Sequence, residues 1–163
     1  MTIKVYEAIN NVTGDLSKIG ISKDRKNQQQ GYAFRGIDDV YLALSPLLAK
    51  HKLCILPRVI DRVVTERETK SGGVLFSTIL RVEFDFVSAE DASKHTVVID
   101  GGARDSGDKS CNKSLSAAYK YACMQTFCIP TEGDNDADAS THDVQPTGKT
   151  YAEKFPAPAA PEP

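Results

Sequence analysis

The feature of this sequence that most constrains its fold is an alternation of residue types between positions 74 and 87, which apolar residues interrupt at three of the odd-numbered positions. The even-numbered positions carry Val, Phe, Thr, Leu, Val, Phe and Phe in turn, whereas Arg81, Glu83 and Asp85 stand at odd-numbered positions. A period of two places these two sets on opposite faces of one long β-strand. The apolar face needs a second layer to cover it, so we expect a sheet packed against another element.

Two further strands are predicted on either side of this run. Residues 53–69 are rich in β-branched side chains and end at the turn sequence Lys-Ser-Gly-Gly, so they should pair with 74–87 as a long hairpin. A short break at 90–93 leads to a third strand, predicted from His95 to Gly101. Three sequential strands joined by short turns predict an antiparallel β-meander.

Helical periodicity flanks the three strands. A first helix is predicted over 3–19, where apolar residues recur at spacings of three and four: Tyr6, Ile9, Val12, Leu16 and Ile19. A polar, basic loop is expected over 20–36. A second helix is predicted from Ile37, with a kink or restart at Pro46.

The last helix is predicted from about Lys109 to Phe127. Its apolar arc consists of Leu115, Ala118, Tyr119 and Ala122. Its opposite side carries a basic stripe of Lys109, Lys113, Ser116 and Lys120. The predicted fold class is therefore α+β, a three-stranded antiparallel meander backed by helices.

Charge divides the chain into a mildly basic body and an acidic tail. Residues 1–130 carry 18 basic and 15 acidic side chains, whereas residues 131–163 carry two basic and seven acidic ones and five of the eight prolines. Such a segment buries too little apolar surface to offset the entropy of ordering it. We predict a folded domain over 1–132 and a disordered, proline-rich tail over 133–163, which is either a plain linker or a regulatory element.

Patterns typical of membrane and secreted proteins are missing. No apolar run approaches the roughly 18 residues that span a bilayer. The first residues show no basic stretch followed by an apolar one, so we expect no secretory signal. The four cysteines form no CxxC pair and are expected to be reduced thiols.

The stretch 101–110 nearly matches the phosphate-binding loop of nucleotide hydrolases. Gly102 and Gly107 have the spacing of GxxxxGK[ST], but Asp108 intervenes before the Lys-Ser pair. A carboxylate at that point repels the phosphate that such a loop must hold. We therefore expect no nucleotide hydrolysis.

Two interpretations of this stretch stay open. In one, it is a glycine-rich turn in which Asp108 or Ser106 caps the last helix. In the other, the helix N-terminus, together with Arg104 and Lys109, holds a nucleic-acid phosphate without hydrolysing anything.

No metal, cofactor or catalytic residue is predicted. The acidic run 134–138 resembles the start of a calcium loop, but Ala139 stands where that loop needs Gly and Gln145 where it needs Glu. The three histidines are widely spaced and pair with no cysteine at ligand spacing. Neither GxSxG nor HExxH occurs.

Cations and aromatic rings are interleaved over residues 23–35, as in proteins that bind single-stranded nucleic acid. The candidate contacts in this loop are Lys23, Arg25, Lys26, Tyr32, Phe34 and Arg35. The candidates near the last helix are Arg104, Lys109, Lys113 and Lys120. The alternatives are a solvated basic loop, core positions for the two aromatic residues, and a solvated helix face for the lysines.

The segment 101–138 resembles the hallmark segment of the ERF (essential recombination function) family, single-strand annealing proteins of bacteriophages and prophages. The likeness is greatest from Asp105 to Thr131, over the strings DSGDK, KSLSAAYKYA and QTFCIPT. Residues 32–40 and 47–51 resemble a further block of that family, so the resemblance covers about residues 3–132. The departures, at 111–112 and 123–124, leave the basic positions unchanged.

The resemblance implies a fold similar to the annealing core of Rad52-type proteins and homo-oligomers in the form of rings or filaments. It implies binding of single-stranded DNA and annealing of complementary strands without ATP, hence a recombination protein and no enzyme. It also implies a phage or prophage protein in the cytoplasm of a bacterial host. Its acidic tail would contact host or phage replication or recombination proteins.

The alternative function is plain single-stranded DNA binding, with the acidic tail as a hook for a partner. An OB-fold, the usual scaffold for that activity, needs five strands, whereas three long strands are predicted here.

Overall fold

A three-stranded antiparallel sheet with helices on one face forms the fold. The computed structural model describes residues 3–21, 25–26, 33–34 and 36–129, the two short ranges by their backbone alone. The elements are α1 (Lys4–Ile19), β1 (Arg25–Lys26), β2 (Ala33–Phe34), α2 (Ile37–Lys50), β3 (Leu53–Glu68), β4 (Val74–Ser88), β5 (Lys94–Asp105) and α3 (Ser110–Thr126). The strand order β3-β4-β5, with both pairings antiparallel, confirms the predicted α+β class and the meander.

The alternating strand β4 lies at the centre of this sheet with one face buried. The buried face consists of Thr78, Leu80, Val82, Phe84 and Phe86, each no more than 1% exposed. On the opposite face, the Arg81 guanidinium donates to both carboxylate oxygens of Asp100, at 2.8 and 2.9 Å. The sheet therefore has one face packed against helices and one face that carries cross-strand ion pairs.

β5 is longer than predicted and includes most of the glycine-rich stretch. Residues 101–105 pair with Phe76–Leu80 of β4, so the prediction that the third strand ends at Gly101 is wrong. A Cβ atom at Gly101 would overlap the carbonyl oxygen of Ser114 and lie 2.7 Å from the Cβ of Ala118. Gly101 is thus required by the close approach of α3 and not by a turn.

α1 buries a different stripe from the predicted one. Its buried residues are Val5, Ala8, Val12 and Leu16, whereas Tyr6 and Ile19 are exposed. The predicted and the buried stripe share Val12 and Leu16. In the first half of the helix, the buried positions lie one residue before the predicted ones. The small side chain of Ala8 does not stand out in a count of large apolar residues, so the spacing of the large ones favoured the wrong stripe.

α2 continues through Pro46, so the predicted restart of the helix does not occur. Pro46 and Leu42 both lie on the solvent side of α2. The carbonyl group of Leu42, which lacks its usual amide partner, can therefore bond to water.

Most of the predicted basic loop lies outside the described residues. Within it, Arg25–Lys26 pairs antiparallel with Ala33–Phe34, so the prediction of a loop is wrong for these four residues. The predicted disordered tail, 133–163, also lies outside the described residues.

Candidate nucleic-acid interface

The segment that resembles a phosphate loop is organised around the carboxylate of Asp105. Its Oδ1 accepts a hydrogen bond from the Gly107 amide at 2.8 Å, and its Oδ2 pairs with the ammonium of Lys113. The Lys109 amide also donates to it, and these bonds, with Lys113 foremost, hold the pKa of Asp105 below its ordinary value. Two amides of the loop that a phosphate would otherwise attract are therefore already bonded to a carboxylate.

The start of α3 carries no side-chain cap. Lys109 is the N-cap residue and forms no side-chain capping bond, so the prediction that Asp108 or Ser106 caps this helix is wrong. Asp105, the last residue of β5, bonds to amides just before α3 in place of such a cap. It accepts bonds from the amides of Gly107 and Lys109.

Buried hydroxyl groups fasten the first turns of α3 to the sheet. The hydroxyls of Thr78 and Ser110 lie 2.9 Å apart, and the Ser114 hydroxyl donates to the Thr78 carbonyl oxygen at 2.8 Å. All three residues are buried. Because buried polar groups are costly when unsatisfied, this network fixes the position of α3 on β4.

The rest of the buried side of α3 is apolar. It consists of Ala118, Tyr119, Ala122 and Cys123, and the Tyr119 ring packs on Tyr41 of α2 at a centroid distance of 4.9 Å. Leu115, which was predicted to lie on this side, is 37% exposed, so that assignment is wrong. Burial raises the pKa of the Cys123 thiol to about 12, which makes it an inert packing residue.

A cleft of about 370 Å³ lies between the outer side of α3 and the start of α2. We call it the lysine cleft, and its lining is Gly36, Ile37, Lys109, Asn112, Lys113, Ser116 and Lys120. The structure therefore brings together the three lysines of the predicted basic stripe and adds a wall that the stripe alone does not predict.

The electrostatics of the lysine cleft come from its ammonium groups. Burial lowers the pKa of Lys120, so a bound anion would favour its charged form. Lys113 already pairs with Asp105, and Lys109 is exposed. At the other wall, the Gly36 amide donates to Asp39 Oδ2 at 2.7 Å, so the amide of the residue that precedes α2 is engaged within the protein.

The other candidate contacts lie elsewhere. Arg104 is an even-numbered residue of β5, like the exposed Asp100 and Gly102. It therefore lies on the open face of the sheet, away from the lysine cleft. Side chains of the loop candidates lie outside the described residues, and for Arg25, Lys26 and Phe34 the structure describes the backbone alone.

Sequence reasoning missed the contribution of Gly36, Ile37 and Asn112 to the cleft. Asn112 stands one helical turn before Ser116 on α3, so helical geometry could have suggested it. The approach of α2 to α3 depends on tertiary packing, for which the sequence holds no local signal.

The described part of the chain has neither a cluster of metal-binding side chains nor a helix suited to a membrane. No three side chains of His, Cys, Asp or Glu in it lie close enough together to hold a metal ion. None of its helices is both long and apolar enough to cross a membrane.

Comparisons with known proteins assign the chain to a family. The search of curated proteins gives no significant match. The profile of the ERF superfamily matches residues 5–157, which include every described helix and long strand except the first residue of α1. At the level of the family, this match implies DNA recombination and annealing of single strands. Since the match covers most of its length, the chain belongs to the ERF superfamily.

Proposed function

We propose that this protein binds single-stranded DNA in the lysine cleft and anneals complementary strands without ATP, as a homo-oligomer acting in phage recombination in the bacterial cytoplasm. The observation that carries the proposal is the convergence of Lys109, Lys113 and Lys120 on one cleft, in a chain of a family of annealing proteins.

The physical basis of binding is the neutralisation of phosphates by lysine. Each ammonium group that contacts a phosphate releases counterions from the strand, which supplies affinity that falls with salt. The lining of the cleft offers Asn112 and Ser116 as neutral hydrogen-bonding groups beside these charges. Such contacts hold the backbone and leave the bases exposed, so the sequence is tested by Watson–Crick pairing with a second strand.

The first prediction concerns cofactors. We expect the full chain to accelerate annealing of complementary oligonucleotides in EDTA and without any nucleotide. The reason is that Asp105 occupies two amides of the apparent phosphate loop and places a negative charge where a nucleotide phosphate would have to lie. The measurement is the rate of fluorescence quenching between end-labelled strands, with and without ATP and Mg²⁺. A strict requirement for both would contradict the proposal.

The same assay separates this function from plain single-strand binding. A protein that only coats single strands protects them from pairing, so it should slow annealing at saturating concentration. The sheet of β3, β4 and β5 favours annealing over an OB-fold binder, because the long strands of the described part number three and form an open meander.

The second prediction concerns the lysines. We expect Lys109→Gln and Lys120→Gln to weaken binding to oligo-dT and to reduce the slope of log K against log salt by roughly 0.7 each, the value for a phosphate contact on a single strand. Glutamine keeps two of the four methylene groups in the stem of the half-buried Lys120 and removes the charge. Lys113 is a poorer test position because its loss also releases Asp105.

A matched control is Lys70→Gln, in the turn between β3 and β4. It should leave both the affinity and the salt slope within experimental error of the unmodified protein. Thermal denaturation should place the variants of the exposed Lys70 and Lys109 within a few degrees of each other, since exposed charges contribute little to stability. The same measurement shows whether Lys120→Gln is folded. Equal salt slopes in all three would remove the lysine cleft from the DNA-binding surface.

The homo-oligomer is supported by the exposure of β3. This strand is about 50 Å long, whereas α3, which covers the sheet, is about 25 Å long. Beyond Ile55, every residue of β3 is exposed. Its exposed large apolar residues, between 46% and 55% exposed, are Leu56, Val59, Ile60, Val63 and Val64. We call this set the β3 surface.

The β3 surface presents apolar groups on both faces of the sheet. In the register with β4, Val64 stands opposite Thr78 of the buried face, whereas Val63 stands opposite Ile79 of the open face. β3 is also an edge strand, which pairs with β4 alone among the described strands. Exposed apolar strand edges favour association, and a second copy would cover this one.

A further inference from the structure

We propose that the acidic segment 132–138 of this chain docks in the lysine cleft when DNA is absent and competes there with the strand. This inference rests on the proposed function, because it assigns a regulator to the same site. It is carried by three observations, which are the charge of the segment, the spacing of that charge, and the place where the chain leaves the described structure.

The charge of the segment is arranged as a repeating pattern. Acidic residues stand at every second position, as Glu132, Asp134, Asp136 and Asp138, with no basic residue between them. In an extended chain, alternate side chains share one side and repeat about every 6.7 Å. A row of evenly spaced negative charges is also what a single strand of DNA presents through its phosphates.

The lysines of the cleft have a compatible spacing. Lys109 and Lys113 are one helical turn apart, about 6 Å along the axis, and Lys120 lies about 10 Å further along. The three ammonium groups therefore span about 16 Å of α3, and the extended segment 132–138 spans about 20 Å. Carboxylates near the two ends of the segment can therefore meet Lys109 and Lys120, while Lys113 keeps its pair with Asp105.

The length of chain after Ile129 is sufficient for the segment to reach the cleft. The described structure ends at Ile129, three residues after α3. Glu132 can lie up to about 10 Å from Ile129, and Asp138 up to about 30 Å. Along α3, Lys120 lies about 9 Å before Thr126 and Lys109 about 26 Å before it. A segment that returns antiparallel to α3 therefore brings Glu132 level with Lys120 and Asp138 level with Lys109.

Tethering makes this weak contact effective. A short linker gives the segment an effective concentration of about 1 mM at the cleft. If the segment binds the cleft with a dissociation constant of about 0.1 mM, this competition raises the apparent Kd for DNA about tenfold. A long strand that contacts several subunits displaces the segment, whereas a short one does not. The segment thereby favours long single strands over short ones.

The test compares two full-length variants that remove the same charge. One carries Asp134→Asn, Asp136→Asn and Asp138→Asn, and the control carries Asp143→Asn, Glu153→Gln and Glu162→Gln. With a labelled oligo-dT at about 50 mM salt, the first should bind about tenfold more tightly than the unmodified protein and the control less than twofold. This gain in affinity for oligo-dT should become smaller as the salt concentration rises. Equal gains in both variants, or no gain in either, would overturn the proposal.

A second measurement detects docking without DNA. Carbodiimide joins carboxylates to ammonium groups in contact, so the unmodified chain should yield links from the segment 132–138 to Lys109 or Lys120. The Asp105–Lys113 pair serves as an internal standard. In a mixture of ¹⁵N-labelled and unlabelled protein, the links should lie within one chain, and an excess of oligo-dT should abolish them. Their absence beside the standard, or links between copies alone, would contradict the proposal.

These outcomes separate the two proposals. Links from the segment to the lysines in a protein that fails to bind DNA would overturn the proposed function and leave the docking in place. If the protein binds DNA but shows no cross-links from the segment, and if the Asp→Asn variant binds DNA no more tightly, the docking alone would be overturned.

Discussion

Replacing Gly101 with alanine is expected to destabilise the folded domain by about 3 kcal/mol, the cost of overpacking a site that cannot relax. The added Cβ atom would overlap the Ser114 carbonyl oxygen and lie 2.7 Å from the Cβ and 2.8 Å from the backbone nitrogen of Ala118. These atoms belong to the helix backbone or are fixed to it, so no side-chain rotation relieves the clash. Either α3 moves away from β5 or β5 bends.

The neighbouring glycine is a matched control. A Cβ atom at Gly102 would have its nearest neighbours at 4.0 Å, and this position lies on the open face of β5. Gly102→Ala should therefore change the free energy of unfolding by less than about 0.5 kcal/mol. In thermal denaturation, we expect Gly101→Ala to lower Tm by roughly 10 °C and Gly102→Ala to leave it nearly unchanged. Equal Tm values would show that α3 does not pack on β5 as closely as described here.

The close packing at Gly101 explains why small residues recur in the segment 101–138, which resembles the hallmark segment of the ERF family. Ser110, Ser114 and Ala118 are the small residues that let α3 approach the sheet, and Asp105 joins the end of β5 to the start of α3. Most of this segment is therefore structural. Lys109, Lys113 and Lys120 lie on another side of the helix, where they line the cleft.

The elements that were predicted correctly are those whose residue pattern allows only one face to be buried. In β4, a shift of one residue would bury Arg81, Glu83 and Asp85, so the buried face is unambiguous. In α3, the small and apolar residues and the lysines lie on clearly different sides. Both elements were predicted within a few residues of their actual ends.

The errors occurred where tertiary contacts outweigh local patterns. Gly101 follows a strand and precedes Gly102, a sequence that favours a turn, but the approach of α3 keeps both residues in β5. Leu115 has helical spacing from Tyr119 but lies near the edge of the helix contact, so it stays partly exposed. The second wall of the lysine cleft depends on how α2 meets α3, and no single segment encodes that.

Charging the β3 surface is expected to abolish assembly and, with it, most of the annealing activity. Val63 and Val64 point to opposite faces of an edge strand, and both are about half-exposed. Burying two glutamates in an interface between copies costs several kcal/mol, whereas on a free surface they are well solvated. Val63→Glu combined with Val64→Glu should therefore leave the monomer folded and separate the subunits.

Loss of assembly should weaken DNA binding as well as annealing. One copy offers three lysines in its cleft, so long strands are held by several subunits whose weak contacts add along one molecule. We expect the annealing rate of the double variant to fall at least tenfold, and sedimentation analysis to show a monomer. Its Tm, measured at a concentration where the unmodified protein is also dissociated, should change by only a few degrees.

The control for charge is Ile19→Glu combined with Leu42→Glu. These residues are also exposed and apolar, but they lie at the end of α1 and on the solvent side of α2, away from the sheet. If the control variant loses assembly to the same extent, added negative charge is the cause and the β3 surface is not an interface. If the β3 variant keeps both its assembly and its annealing rate, the subunits meet elsewhere. Dissociation of the β3 variant alone would locate the contact on the part of the hairpin that the helices are too short to cover.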